Sequence, residues 1–332
     1  YEIAQCLVGS EMCIRDRANA REISTRIKSI QDTMKITKAM YMMSSMKLRK
    51  ARQKLENTEP YFYGLQEQIA DILLHFPDMK HLYFDNRGKD LHETSKRRAF
   101  IVITGDKGMA GAYNHNVLKE AQKMVDESDS YRLFVVGELG RHFFSSQGYT
   151  LEEGFCYSAN NPSIHRARMI TERIVELYKE EEFDEVYVVY TKMVNSMKEE
   201  VEVQEILPLK THEFIKKELL EDSQKGLGNS DREAAEQSDD WFLIYPSPKK
   251  VLEKLVYNYV TGFMYGVLVE GSASEENARM MAMQAATDNA QAMLHELSIE
   301  FNRVRQAAIT QEITEVIGGA KALKKKKKKQ AR

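Results

Sequence analysis

The stretch SASEENARMMAMQAATDNAQAMLHELSIEFNRVRQAAITQEITEVI, Ser272 to Ile317, decides the fold. Met280, Met283, Thr287, Ala290, Leu294, Leu297, Phe301, Val304 and Ala308 recur in alternating steps of three and four, the 3.5-residue repeat of a coiled-coil seam. The spacing predicts a long helix with a partner. Upstream, Lys249 to Glu270 holds no proline, and Pro246 and Pro248 mark a start. Gly318-Gly319 reads as the stop, giving a C-terminal helix over 246–319 and a lysine-rich tail over 320–332. Unbroken, such a helix would be about 100 Å long at a rise of about 1.5 Å per residue. Gly271, followed by Ser272 and Glu275 in capping-box spacing, is the one place where it could kink or restart.

A second seam lies at the other end of the chain. Ile23, Ile27, Ile30, Met34, Thr37, Tyr41, Ser44, Leu48, Ala51 and Leu55 step by four and three, which predicts a helix over 18–58. Asn19 to Asn57 carries ten Lys or Arg against three acids, whereas Ser272 to Ile317 carries three Arg against seven acids. Complementary charge favours an antiparallel pair, although an exposed ion pair contributes only about 0–1 kcal/mol and the seam must supply the rest. The seam containing Met34 and Leu48 is expected to face the one containing Leu294 and Phe301, with the register left open. Ten of the 17 methionines fall in the two helices over 18–58 and 246–319, either as flexible core filling or as a soft surface for sliding. Residues 1–17 lack this periodicity and read as a non-native leader.

Between the seams the pattern changes. Arg98–Thr104, Tyr131–Gly137 and Glu185–Thr191 are apolar, β-rich runs, and Glu200–Leu207 alternates like an edge strand. Helical patterns over Val117–Val125, Glu138–Gln147 and about Pro162–Glu180 separate them. The fold class is therefore mixed: a long antiparallel coiled coil of the terminal helices plus a small Rossmann-like α/β domain with a mostly parallel sheet, over 97–245. Residues 59–96 read as helix and connecting segment, and the polar stretch 211–240 as an insertion.

The chemistry-bearing candidates are few. GDKGMAGAYN (105–114) follows a strand and precedes a helix, but it has neither the dinucleotide nor the P-loop glycine pattern. A tight strand-to-helix turn is the plainer reading. The histidines and cysteines show no zinc or redox spacing, and no serine sits in a nucleophile elbow. No catalytic residue, cofactor or metal ligand is nominated. No apolar stretch is long enough for a transmembrane helix. The lysine run 324–329 reads as a solvated tail, with no nucleic-acid partner.

Three blocks resemble the gamma subunit of the F-type ATP synthase: IKSIQDTMKITKAMYMMSSMKLRKA (27–51), GDKGMAGAYN (105–114), and ARMMAMQAATDNA with FNRVRQAAITQEITEVIGGAKAL (278–290 and 301–323). The last is similar to the family signature, here Ile309, Thr310, Glu312, Glu315, Gly319 and Ala320. The resemblance implies a central rotor shaft, inside three alpha and three beta subunits, resting on epsilon and the c-ring, with delta in the same complex. It implies coupling of proton flow to ATP synthesis on other subunits, no active site here, and a peripheral position on the cytoplasmic face of a bacterial-type membrane. It matches Lys38, Met40, Arg279, Arg305 and Gln306 to positions facing an acidic loop of beta, and Thr310 and Glu312 to positions linked to coupling. The rival readings are a coiled-coil adaptor unrelated to ATP synthase and a dinucleotide-dependent enzyme.

Overall fold

The computed structural model describes residues 2–76, 79, 81–84, 96–195, 198–214 and 244–330, with side chains from Ala20 to Lys321 except at 212–213. The elements in chain order are α1 (Glu2–His75), β1 (Arg97–Ile103), α2 (Tyr113–Asp126), β2 (Ser130–Val136), α3 (Glu138–Ser146), α4 (Ile164–Lys179), β3 (Glu185–Met193), β4 (Glu199–Leu207), α5 (Thr211–Phe214) and α6 (Pro248–Gln330). Most of the insertion foreseen over 211–240 lies outside the described residues, apart from the short α5. The chain divides into two compact units: Tyr1–Met43 with Ala282–Arg332, and Ser44–Met281.

Ser44–Met281 holds a four-stranded sheet in the order β2-β1-β3-β4. β1 pairs parallel with β2 and with β3, and β4 closes the edge antiparallel to β3, with Thr191 opposite Val201. The sheet is covered on both faces, which is why its central strand reads as an unbroken apolar run rather than an alternation. Phe100 and Val102 of β1 face α2 and α3 through Val117, Ala121, Val125 and Phe144. Ala99, Ile101 and Ile103 face the opposite way, into a core built by α4 and by the helical stretches around Ile69–Leu73 and Leu252–Leu268. In this unit α1 and α6 run antiparallel. Phe62 stacks on Tyr259 at 4.9 Å between ring centroids, Leu48 and Ala51 pack with Val269 and Ala273, and Lys47 meets Glu276 at 2.7 Å. Leu48 thus lies against Val269 and Ala273.

In the unit formed by the two chain ends, the burial follows the period read from the sequence. Ile23 is buried, and Ile27, Ile30, Met34, Thr37 and Tyr41 are half-buried, while nearly all residues between them are exposed. On α6, Met283 and Ala290 are buried and Thr287, Leu294, Leu297, Phe301, Val304 and Ala308 half-buried. Thr37 Oγ1 lies 2.9 Å from Thr287 Oγ1, a hydrogen bond in the seam itself. One antiparallel step from this pair matches Met34 with Ala290 and Ile30 with Leu294.

The helix ends differ from their sequence reading. α1 begins at Glu2, so residues 2–17 lie within this helix. It also continues through Pro60 to His75 rather than ending near 58. An interior proline costs about 3 kcal/mol. Beyond it, Phe62, Leu65, Ile69, Ile72 and Leu73 are shielded or fully buried, and their burial holds the helix together. α6 likewise passes through Gly271 and through Gly318-Gly319 to Gln330. Each glycine costs only about 1 kcal/mol, and the residues after the pair are Ala, Leu and Lys, which are good helix formers.

Gly271 has a different use. A Cβ there would approach Ile103 Cγ2 at 3.1 Å, and its carbonyl accepts a hydrogen bond from Tyr113 Oη at 3.0 Å. The missing side chain lets the end of β1 lie directly on α6.

Two outcomes follow from this packing. With cysteines at 37 and 287 and the three native cysteines replaced, oxidation should give an intramolecular disulfide, read as a gel shift unchanged by dilution. Gly137→Ala should lower the thermal midpoint of the chain by several degrees. Its φ is 101° and an added Cβ would sit 2.3 Å from the Thr104 carbonyl oxygen, which costs about 1–3 kcal/mol.

Candidate functional site

Loop 104–112 leaves the carboxyl end of β1, the place where open α/β sheets bind ligands. Here the polar groups of Thr104, Gly105 and Asp106 are used within the protein. Thr104 donates its backbone N–H and its hydroxyl to the Val136 carbonyl, both at 2.9 Å, and its Oγ1 accepts from Gly140 N at 3.1 Å. Gly105 N donates to Asn114 Oδ1 at 2.8 Å. The Asp106 carboxylate occupies the amino end of α3, accepting from Glu138 N at 3.1 Å. The same carboxylate accepts from the Ser158 hydroxyl, from the backbone N–H groups of Ala159 and Asn160, and from Asn160 Nδ2. Burial pushes the Asp106 carboxyl up, but these donors outweigh it and hold the group below the usual carboxylate range. A phosphate at this helix end would have to displace the protein's own anion.

The far side of the loop lies against α6, and there four charges are brought together. Glu275, Glu276 and Arg279 are all under 10% exposed. Arg279 is in ion contact with Glu275, and its Nη1 lies 3.0 Å from Glu276 Oε2. Lys47 of α1 reaches Glu276 Oε1 at 2.7 Å. A Cβ on Gly105 would sit 2.7 Å from Glu275 Oε1, so a larger residue here would push this carboxylate aside. Burial raises the Glu275 pKa in spite of Arg279, helped by the like charges of Glu276 and Asp106. For Glu276 the same burial is outweighed by Lys47, Ser44 and Arg279, and its pKa falls. Two neighbouring hydrogen bonds tie α6 to the sheet: Ser274 Oγ donates to the Thr191 carbonyl at 3.0 Å, and Asn277 Nδ2 donates to Glu199 at 2.9 Å.

The residues singled out in the sequence fall in both units. Lys38 is exposed and Met40 half-buried on α1. Arg305, Gln306, Ile309, Thr310, Glu312, Glu315, Gly319 and Ala320 are all exposed on α6 in the same unit. Thr310 Oγ1 donates to the Gln306 carbonyl one turn back, at 2.9 Å. Arg279 belongs to the other unit and is turned inward, away from solvent. The sequence reading did not single out Lys47, Asp106, Glu275 or Glu276. The signal available was the spacing of Glu275 and Glu276 at four and three residues before Arg279, within a run of small residues that had to be packed. Among the described residues there is no cluster of three or more His, Cys, Asp or Glu able to hold a metal, and no helix long and apolar enough to cross a membrane.

Long terminal helices with an inserted domain built on a mostly parallel sheet define the class of fold. The fold matches a chain of the Euglena gracilis mitochondrial ATP synthase (OSCP/F1/c-ring) with a TM-score of 0.62 at 17% identity, covering 94% of this chain and 96% of that one. It also matches a chain from the central stalk and c-ring of the Tetrahymena thermophila enzyme, with a TM-score of 0.53 at 20% identity over 76% of this chain and 99% of that one. The ATP synthase family model matches residues 19–323. The ATP synthase gamma chain of Ruminiclostridium cellulolyticum is 43% identical over 92% of this chain and 99% of its own length. That of Acetobacterium woodii, described as sodium ion specific, is 37% identical over 92% and 99%. The chain belongs to the ATP synthase gamma chain family and is a subunit of that complex. An unrelated coiled-coil adaptor is not supported.

Asp106→Ala should destabilise the chain by about 1–3 kcal/mol by leaving the donors of Glu138, Ser158, Ala159 and Asn160 without this acceptor. Because the folded carboxyl titrates below its unfolded value, its contribution is present above the unfolded pKa of about 3.9 and is lost as pH falls through the folded one. Urea titrations at neutral and acid pH should show the gap between variant and parent narrowing in acid.

Proposed function

We propose that this chain is the rotor shaft that couples ion flow through a membrane sector to ATP synthesis or hydrolysis on other subunits. One observation carries the reading. In the unit formed by the chain ends, large apolar side chains stand outside the seam and in solvent: Ile36, Met42 and Met43 on α1, and Met293, Ile299, Ile313, Val316 and Ile317 on α6. Apolar surface on this scale, on a helix pair whose own seam is already filled, needs an enclosing partner. The gamma chain family supplies the partner's identity: three alpha and three beta subunits around the paired helices, with epsilon, the c-ring and delta in the same complex. The chain would then sit peripherally on the cytoplasmic face of a bacterial membrane.

No catalytic site is assigned to it. Among the described residues, the loop placed like a phosphate cradle gives its Gly105 N–H to Asn114, and its Asp106 carboxylate accepts the Glu138 N–H at the amino end of α3. The exposed Lys38, Arg305, Gln306, Thr310 and Glu312, with half-buried Met40, are proposed as the coupling surface. A guanidinium such as that of Arg305 can hold a carboxylate through two parallel hydrogen bonds, with the amide of Gln306 adding a donor. A contact that forms and breaks each turn acts only through the difference between angular states, on the order of 1–3 kcal/mol.

Replacing Arg305 and Gln306 together by Ala should leave assembly with alpha and beta intact, since both side chains lie outside the seam. ATP hydrolysis and ATP-driven ion pumping should fall together by about five-fold or more in complexes of matched subunit content. Equal rates would remove these two residues from the coupling surface. The isolated chain should bind no ATP at micromolar concentration by equilibrium dialysis, and binding there would overturn the assignment of catalysis to other subunits.

A further inference from the structure

We infer that Arg279 serves coupling from the inside, as a positioning residue: with Glu275 it forms a buried charge pair that seats loop 104–108 on α6, rather than a contact with a partner subunit. The inference rests on the rotor reading above and assigns the pair a place within it.

The geometry leaves Arg279 little freedom. Its guanidinium is in ion contact with Glu275, lies 3.0 Å from Glu276, and has an Nη2 3.5 Å from the Lys107 carbonyl oxygen. All three charged side chains are nearly closed to solvent. Turning Arg279 outward would leave two adjacent buried carboxylates with Lys47 alone, an arrangement far costlier than the one present. Together the four groups carry no net charge: Glu275 and Glu276 against Arg279 and Lys47. Gly105 closes the loop over Glu275, and Tyr113, from the same stretch, bonds the Gly271 carbonyl. Loop and helix therefore meet through a neutral contact in which Glu275, Glu276 and Arg279 are closed to solvent and Lys47 is half-exposed. Force applied to the sheet domain reaches this part of α6 through that contact, along with the Ser274 and Asn277 bonds.

The charge balance supplies the test. Glu275→Gln leaves the cluster with one surplus positive charge and Arg279→Gln with one surplus negative charge. The double variant is neutral again, with Glu276 still paired to Lys47. A residue acting outward behaves differently, because Glu275→Gln would merely release Arg279, and the double variant would be as impaired as Arg279→Gln. The experiment measures ions pumped per ATP hydrolysed in vesicles holding the whole purified complex, with thermal unfolding of the isolated full-length chain alongside. Each single variant is expected to lower the pumping ratio by about three-fold or more, and the double variant to return it to within about two-fold of the parent. Where a single variant does not assemble, recovery of the thermal midpoint in the double variant gives the same reading. Normal pumping by Glu275→Gln alone, no recovery in the double variant, or two silent single variants would each overturn the inference. Failure of the unaltered chain to assemble with alpha and beta would instead overturn the rotor reading.

Discussion

A pair of helices can bury only one stripe of each, and that constraint governs the rest of this chain. The stripe from Ile23 to Leu55 and the stripe from Met280 to Ala308 must supply the cohesion of the helix pair, with little help from exposed ion pairs. Small residues at Ser44, Ala51, Ala273 and Ala290 bring the backbones close, so each methylene of the remaining seam side chains is well packed. The same constraint leaves the outer faces unsatisfied. Ile36 and Ile299 are more than half exposed although both sit on helices with a filled seam. A chain built in this way is stable as a fold but incomplete as a surface.

The seam was legible because a 3.5-residue period is a property of neighbours along the chain. Every seam position from Ile23 to Leu55, and from Met280 to Ala308, is shielded as its spacing predicts. The strands and the mostly parallel sheet were legible for a similar reason, since runs such as FIVI and LFVV have few uses other than a strand buried on both faces, whereas the strand order and the antiparallel pairing of β4 were not. What was not legible depends on distant partners. Gly271 looks like a place to kink or restart until Ile103 and Tyr113 are placed against it, and the helix end read near 58 holds only until Phe62 is seen stacked on Tyr259. Arg279 looks like surface because its spacing fixes a helix face but not what covers that face. Only the fold brings Gly105 and Lys47 to that position.

The sheet domain shows why a fold used by many nucleotide-binding proteins need not bind one. The carboxyl end of β1 and the amino end of α3 form the usual crevice, with backbone N–H groups directed into it. Asp106 fills the anion position, and Asn114 takes the donor of Gly105. The loop is thereby converted from a ligand cradle into a rigid connector whose other face rests on α6. Function lies in how these groups are spent, not in the fold class.

The methionines divide along the same line. Met264 and Met283 are buried and Met34 and Met280 half-buried, where an unbranched thioether fills irregular gaps between closely spaced helices. Met42, Met43, Met46, Met281 and Met293 are exposed on the outside of the same helices, where no packing demand explains them. A surface that forms fixed hydrogen bonds with an enclosing sleeve would have to break them at every angular step, adding to the barrier between steps. A polarizable side chain that gains contact without directional bonding lowers that barrier while still excluding water. The exposed methionines therefore suit the smooth outer faces of a rotating pair, and under the coupling surface we propose the angular preference falls to charged and amide groups such as Arg305, Gln306 and Glu312.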